Sequence, residues 1–179
     1  DTTSIANYKG AMIYGADVEG KLWKLNLTNQ GTLYEFTSLF TADATLANDR
    51  LEFFQATPGM GADGNLWAFY GTGNQKNYQR ISSDIQNRIF AVKDKNFPNY
   101  SAINGQTPNS SSLVNAANGI CPTGAELGWY DNLGASERIT GKLGLYNSTI
   151  YASKYIPKQG QLCSPGSASL SEHAMSCGS

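Results

Sequence analysis

The chain reads as an all-β protein made of propeller-like antiparallel blades, and three observations lead there. Two stretches echo each other: Gly15-Ala16-Asp17-Val18-Glu19-Gly20-Lys21-Leu22-Trp23-Lys24-Leu25 and Gly61-Ala62-Asp63-Gly64-Asn65-Leu66-Trp67-Ala68-Phe69. Trp23 and Trp67 stand 44 positions apart and the two Gly-Ala-Asp triplets 46, and a period in the forties with strand-turn-strand content is what one propeller blade occupies. Apolar residues come in short β-rich bursts, such as Met12-Ile13-Tyr14 and Leu66-Trp67-Ala68-Phe69-Tyr70, with no sustained helical stripe. Charged residues make up only 15% of the 179 and glycine numbers 19, a composition of many turns and few solvated helices.

The elements follow in order. Ala11–Asp17 and Lys21–Thr28 form a hairpin about Val18-Glu19-Gly20, and alternation puts Trp23 and Leu25 on one face. Thr32–Phe40 is a further strand, and Ala42–Arg50 a polar connection. Leu51–Ala56 and Asn65–Thr72 make the second hairpin around a long Gly-rich turn, and Arg88–Lys93 is a short strand. Asn96–Gly119 is dense in Asn, Ser, Pro and Gly, and no periodic pattern claims it; such a long loop in a compact domain often serves contact. Order returns at Gly128–Leu133, Arg138–Leu145 and Thr149–Ile156, with Leu143–Tyr151 a weaker third copy of the repeat. The tail 157–179 is Gly/Ser-rich and irregular. The expectation is one segment over 1–179 holding about three blades, a partial propeller. A ring closes with roughly four to eight blades, so neighbouring segments complete it or the chain is a piece of a longer protein. Its start on Asp1 rather than Met fits a trimmed fragment.

A formal net charge of −1 gives no electrostatic reason to expect nucleic acid or an anionic membrane as partner. No apolar run is long enough to cross a bilayer, and no signal peptide stands at the start. Three cysteines permit one disulfide and a spare thiol. They lie in Gly/Pro/Ser loops without a C-x-x-C pair, which favours a structural bridge in an oxidising compartment over a metal or redox motif. Cys163 with Cys177 is the nearest pairing, and Cys121 is the third candidate.

The ordered segments resemble, one after another, the C-terminal propeller of the PilY family of type IV pilus assembly and tip proteins. Met12–Leu25 resembles that family's segment of tyrosine, Gly-Asp, turn and Gly-Asn-Leu-Trp-Lys, and Ala68-Phe69-Tyr70-Gly71-Thr72-Gly73 its Phe-Gly-Thr-Gly strand end. Arg88-Ile89-Phe90-Ala91-Val92-Lys93-Asp94 is similar to its aromatic strand ending in Asp. Gly128-Trp129-Tyr130-Asp131-Asn132-Leu133 with Ser136-Glu137-Arg138-Ile139 resembles its Gly-Trp-Tyr and Gly-Glu-Arg-Val stretch, and Tyr151–Cys163 its aromatic, Pro and Cys stretch. The family often carries an Asp-rich calcium loop before the first strand. Here the aligned positions are Thr3, Ile5, Asn7 and Ala11, so no calcium is expected. The tail Ser167–Ser179 departs from the family's final strand, reading Leu170-Ser171-Glu172-His173-Ala174, and the large N-terminal adhesion region is absent.

The resemblance implies a non-enzymatic, extracellular segment at a bacterial cell surface or pilus tip. It would act in pilus assembly and adhesion by contact with minor pilins, with other segments of the same protein, or with a surface or host ligand, and without a cofactor. Asn96–Gly119 is the expected contact surface. Trp-containing propellers also occur in quinone-dependent dehydrogenases, but catalysis there needs a bound quinone, an Asp base and a cation, and no such set converges here. A carbohydrate-binding propeller would read its ligand with exposed aromatics such as Tyr78 or Tyr100. His173 forms a Ser/His/Asp arrangement only if the fold supplies the other two members. Gly71-Thr72-Gly73 lacks the third glycine of a dinucleotide fingerprint, Lys76 standing there. Glu137 and Arg138 point to opposite faces of a strand, and Arg138 is expected to bind loop carbonyls between blades. Trp23, Trp67 and Trp129 are expected in the core. Asparagines 26, 99, 109 and 147 match the glycosylation pattern, as chance allows in an Asn-rich chain.

Overall fold

The computed structural model describes residues 10–158, 160 and 165–178. Its described part is all-β apart from two single-turn 3-10 helices, and its strands form three antiparallel-based sheets. The first sheet holds β1 (Met12–Ala16), β2 (Lys21–Asn26) and β3 (Phe36–Thr41) in the order β1-β2-β3. The central sheet holds β4 (Thr57–Met60), β5 (Leu66–Gly71), β6 (Arg88–Asp94), β7 (Val114–Asn115) and β8 (Gly128–Asn132) in the order β4-β5-β6-β8-β7, only β7 running parallel to its neighbour. The third has β10 (Gly144–Tyr146), β11 (Thr149–Ile156) and β12 (Ser167–Ala174), with β9 (Arg138–Ile139) also on β11. These sheets are the three propeller-like blades.

Turn chemistry explains the hairpins. In the first, the Gly20 N–H donates to the Asp17 carbonyl and the Asp17 N–H to the Lys21 carbonyl; in the second, Gly64 donates to Gly61 and Gly61 to Asn65. Gly20 and Gly64 each take φ near +75°, the left-handed region that closes such turns (+72° and +78°). The structural equivalence is therefore Asp17 with Gly61 and Trp23 with Trp67. The 44-residue offset is real, and the 46-residue offset of the triplets is a sequence coincidence. A third hairpin joins β10 to β11 through Asn147 and Ser148, both at positive φ, as a two-residue turn of the I′ kind requires.

The central sheet is covered on both faces, and β5 is buried along its whole length. One face, with Ala68, Tyr70, Phe90 and Val92, packs on Leu22, Leu39 and Phe40 of the first sheet. The other, with Trp67, Phe69, Ile89 and Ala91, packs on Ile139, Leu143, Ile150, Ala152 and Met175 from the third sheet and its connections. Trp67 and Trp129 sit in this core as expected. Trp23 does not: along β2 it is Leu22, Lys24 and Asn26 that are buried, so Trp23 and Leu25 share the opposite, half-buried face.

Three further expectations change. The strand opposite β5 is Thr57–Met60, not Leu51–Ala56; Pro58 is tolerated because β4 is an edge strand. Phe36–Thr41 replaces Thr32–Phe40, since the chain turns at Tyr34 with φ +67°. The tail is not irregular throughout: Ser167–Ala174 pairs with β11 over all eight residues.

Candidate functional site

The expected contact loop is built into the fold. Lys24 Nζ, buried in the first sheet, donates to the Asn99 carbonyl (3.2 Å); the Ile103 N–H donates to Thr37 Oγ1 (2.9 Å), and the Thr41 N–H to the Pro108 carbonyl (2.9 Å). Arg88 Nη1 donates to Ser110 Oγ (2.8 Å), and Leu113 and Ala116 are buried in the two cores. Asn96–Gly119 thus ties the first sheet to the central one, and only short stretches such as 104–106 stand clear of it. Deleting it removes core residues, so loss of the fold is the expected result. The signals for this were Leu113 and Val114, an apolar pair inside a polar stretch.

Where the loop begins, a buried polar cluster joins three elements. Lys24 Nζ lies 2.5 Å from Asp94 Oδ2, and the same carboxylate oxygen accepts from Tyr14 Oη (2.6 Å). Asp94 Oδ1 accepts from the Asn96 N–H (3.1 Å), and the Tyr100 ring faces Lys24 Nζ at 5.5 Å. Lys24 and Asp94 are almost wholly buried. A separate buried acid, Glu52, lies beside the β1–β2 turn, its N–H donating to the Val18 carbonyl; it is 2% exposed, its Oε1 accepts from the Phe54 N–H (2.6 Å), and Oε2 has no hydrogen-bond partner. Burial pushes the Glu52 carboxyl up to about 8, against a smaller lowering by the backbone N–H groups. Burial likewise raises the Tyr70 phenol, helped by the negative charge of Glu52, Asp17 and Asp43.

The cysteine pairing differs from the expected one. Cys121 bonds to Cys177, with Cα atoms 4.6 Å apart. Nearness in sequence misleads here because β12, eight extended residues or roughly 26 Å, separates Cys177 from the segment before Ser167. Cys163 lies outside the described residues, as do Thr3, Ile5 and Asn7 of the aligned calcium positions. Among the described residues no group of three or more His, Cys, Asp and Glu side chains is placed to hold a metal.

Next to the disulfide the fold does supply the partners His173 needed. Its Nε2 lies 3.0 Å from Ser171 Oγ, and its Nδ1 3.7 Å from Asp131 Oδ2. Nδ1 is nearer the Gly178 carbonyl (3.0 Å), and 3.7 Å is beyond a hydrogen bond. The ring also stacks on Trp129 (5.9 Å, 26°), whose Nε1 donates to the Met175 carbonyl (2.9 Å). Gly178 must be glycine: a Cβ there would meet the Trp129 ring at 2.7 Å, and φ is +80°. His173 is thereby fitted as a packing element closing the end of β12.

Arg138 acts as expected, its guanidinium donating to the carbonyls of Asn77 (2.6 Å) and Arg80 (2.8 Å), while Glu137 pairs with Lys154 (3.4 Å). Tyr78 packs against Tyr155 and bonds Gln75, and Tyr100 is turned toward Lys24, so neither is a bare platform for a sugar. Asn26 is buried and bonded to the carbonyls of Gln30 and Thr32, which removes it as a modification site. A cleft of about 460 Å³ between Asp63, Asn65, Lys93, Lys95, Thr123 and Gly124 is open. Its lysine amines already donate to the carbonyls of Thr123, Gly124 and Ala125.

What remains open is strand edge. β12 pairs with β11 along one side, and no described strand lies on its other side. Residues Ser167–Leu170 are all exposed, and no Pro or Lys guards the edge.

No family model matches the chain, and no curated protein is similar to it. Among solved structures it is similar to the crystal structure of the Pseudomonas aeruginosa PilY1 C-terminal domain, with a TM-score of 0.66 and 12% sequence identity. The match covers 92% of this chain and 44% of that one, so the chain spans less than half the length of its structural counterpart. At this identity the likeness establishes the fold, a PilY-like β-propeller arrangement.

Proposed function

We propose that the chain is a non-enzymatic β-propeller segment of a PilY-like type IV pilus assembly or tip protein, working outside the cell through contacts with other proteins. The fold likeness to the PilY1 C-terminal domain motivates the family reading, and a disulfide suits an oxidising compartment. The open edge of β12 carries the contact. An extended segment of a minor pilin adds there as a further strand, its main chain giving affinity and the exposed side chains of Ala168 and Leu170 giving selectivity. The site needs no bound cofactor.

Binding of this chain to purified minor pilins, measured by biolayer interferometry, tests the proposal. Lysines at Ala168 and Leu170 guard the edge and are expected to weaken binding by roughly tenfold or more. Unchanged binding would remove β12 as the docking edge. Two cheap controls address chemistry. A fluorophosphonate probe is expected to leave Ser171 unlabelled, and an absorbance scan to show no quinone band; labelling or a band would overturn the non-enzymatic reading.

A further inference from the structure

The central and third sheets begin alike and end differently. Each runs from a hairpin to a further antiparallel strand, β4-β5-β6 in one and β10-β11-β12 in the other. The central sheet then continues, β8 adding antiparallel to the far edge of β6. At the same edge of β12 the described residues supply no strand. The three sheets meet face to face, so a further blade stacked on them covers a face and leaves this edge open.

Register decides which groups the edge offers. The Met175 N–H donates to the Ser148 carbonyl (2.9 Å), a pair that continues the β11–β12 register. Bonded and non-bonded pairs alternate along an antiparallel ladder. Ser167, Ser169, Ser171 and His173 therefore turn their main-chain groups to β11, and the N–H and C=O groups of Ala168, Leu170 and Glu172 point outward. The next carbonyl, that of Ala174, already accepts from the Cys177 and Gly178 N–H groups (3.3 and 2.7 Å), which closes that end. The side chains of Ala168, Leu170 and Glu172 share the sheet face opposite to that of Ile150 and Ala152. Leu170 is 64% exposed. Glu172 is exposed too, and no Lys or Arg of the described residues pairs with it.

The β6–β8 pairing shows how an added strand is fixed at this position. Arg88 Nε donates to Oδ1 of Asn132, directly opposite (2.7 Å), and two residues on, on the same face, the Phe90 ring meets that of Tyr130 (6.4 Å). A polar clasp and an apolar pair thus hold β8 in register. β12 offers one half of each, Glu172 and Leu170, at the same spacing.

We infer that the pilin segment that adds to β12 runs antiparallel to it, with a Lys or Arg opposite Glu172 and a branched apolar residue opposite Leu170; this rests on the docking reading given above. Because the strands run in opposite directions, the segment reads basic, any residue, apolar along its own chain. A basic group facing Glu172 is attracted and an acidic one repelled, and branched apolar residues pack well beside a leucine across a ladder.

Charge reversal tests this. Glu172→Lys is expected to weaken minor-pilin binding at least roughly fivefold in biolayer interferometry. The melting temperature stays unchanged, because Glu172 is exposed. Two synthetic strand-like peptides, one centred on Lys-Thr-Ile and one on Glu-Thr-Ile, then compete with the pilin. The first is expected to displace it from the unaltered chain and the second from Glu172→Lys. Pilin binding that Glu172→Lys leaves unchanged overturns the inference, as does a peptide preference that the substitution does not exchange. If lysines at Ala168 and Leu170 abolish pilin binding while Glu172→Lys does not alter it, the β12 edge stands and only the basic-and-apolar pattern falls. No pilin binding by the unaltered chain removes the docking reading and this inference together.

Discussion

The central sheet meets its two neighbours by different physics. Toward the third sheet the contact is apolar, with Trp67, Phe69, Ile139, Ile150 and Met175, and it is stapled by Cys121–Cys177. Toward the first sheet an aromatic cluster of Phe40, Tyr70 and Phe90 is joined by buried ionisable groups: the Lys24–Asp94 ion pair, and Glu52 close to Tyr70. Apolar contacts are forgiving of pH and salt, whereas buried charges are costly unless partnered. One boundary is therefore expected to be durable and the other conditional.

The largest effect is expected at Asp94. Asp94→Ala strands the Lys24 ammonium in a dry site, keeping only the Asn99 carbonyl and the Tyr100 ring, and costs about 4 kcal/mol. Urea unfolding measures it. The double variant Lys24→Met/Asp94→Leu removes the charge along with its partner and is expected to recover most of that loss, as buried pairs commonly allow. A single-variant cost under about 1 kcal/mol would mean that water reaches Lys24 and that this boundary is not dry.

The staple comes next. Cys121 and Cys177 close a loop of 56 residues in sequence separation, for which the chain-entropy estimate is about 4 kcal/mol and observed losses run somewhat lower. Cys121→Ser is expected to cost about 3 kcal/mol. It should loosen the end of β12 first, seen as faster amide exchange at His173–Met175, while the first sheet keeps its protection. Faster exchange in β1–β3 instead would show that the two boundaries are coupled.

These two sites were not equally legible in advance. The hairpins were readable because their turns are local: Gly20, Gly64 and Asn147-Ser148 state the backbone they need within a few residues. The Lys24–Asp94 pair spans 70 positions and obeys no spacing rule. Nor does alternation reveal that Lys24, rather than Trp23, points inward, because the burial of a strand face is set by what packs on it. β12 escaped because Ser-Ala-Ser-Leu-Ser-Glu-His-Ala has little intrinsic strand preference and is a strand through its pairing with β11. The disulfide and the Ser171–His173 contact followed from that omission. The loop 96–119 looked free because its buried Leu113 and Ala116 are too few to make a pattern.

Glu52 makes the conditional boundary sensitive to pH. The connection that carries it lies against the β1–β2 turn, the Glu52 N–H donating to the Val18 carbonyl (3.4 Å). Its carboxyl titrates near 4.5 when unfolded and near 8 when folded. The folded state therefore holds the proton more tightly, stability is full below about 4.5, and it is lost as pH rises through 8. Thermal unfolding is expected to show a fall of roughly 3 kcal/mol between pH 5 and 9, absent in Glu52→Gln. A wild-type profile that is flat over this range would mean that the orphaned Oε2 finds water or a donor.

The smallest effect compares the two tryptophan clamps. Trp23 Nε1 donates to Asp17 Oδ2 (2.7 Å) and Trp67 Nε1 to Asp63 Oδ1 (3.1 Å), the carboxylates reaching their rings from different turn positions. Asp63 also faces Lys93, which lies over the Trp67 ring at 4.9 Å and 3.7 Å from Asp63 Oδ2. The indole of Trp67 is buried and that of Trp23 half-exposed, so water replaces the lost acceptor more easily at Trp23 than at Trp67. Asp63→Ala is accordingly expected to cost about 1 kcal/mol and Asp17→Ala about half that in dilute protein. Thermal melts of the two variants measure the gap: equal costs would mean that water reaches the Trp23 indole no more readily than that of Trp67.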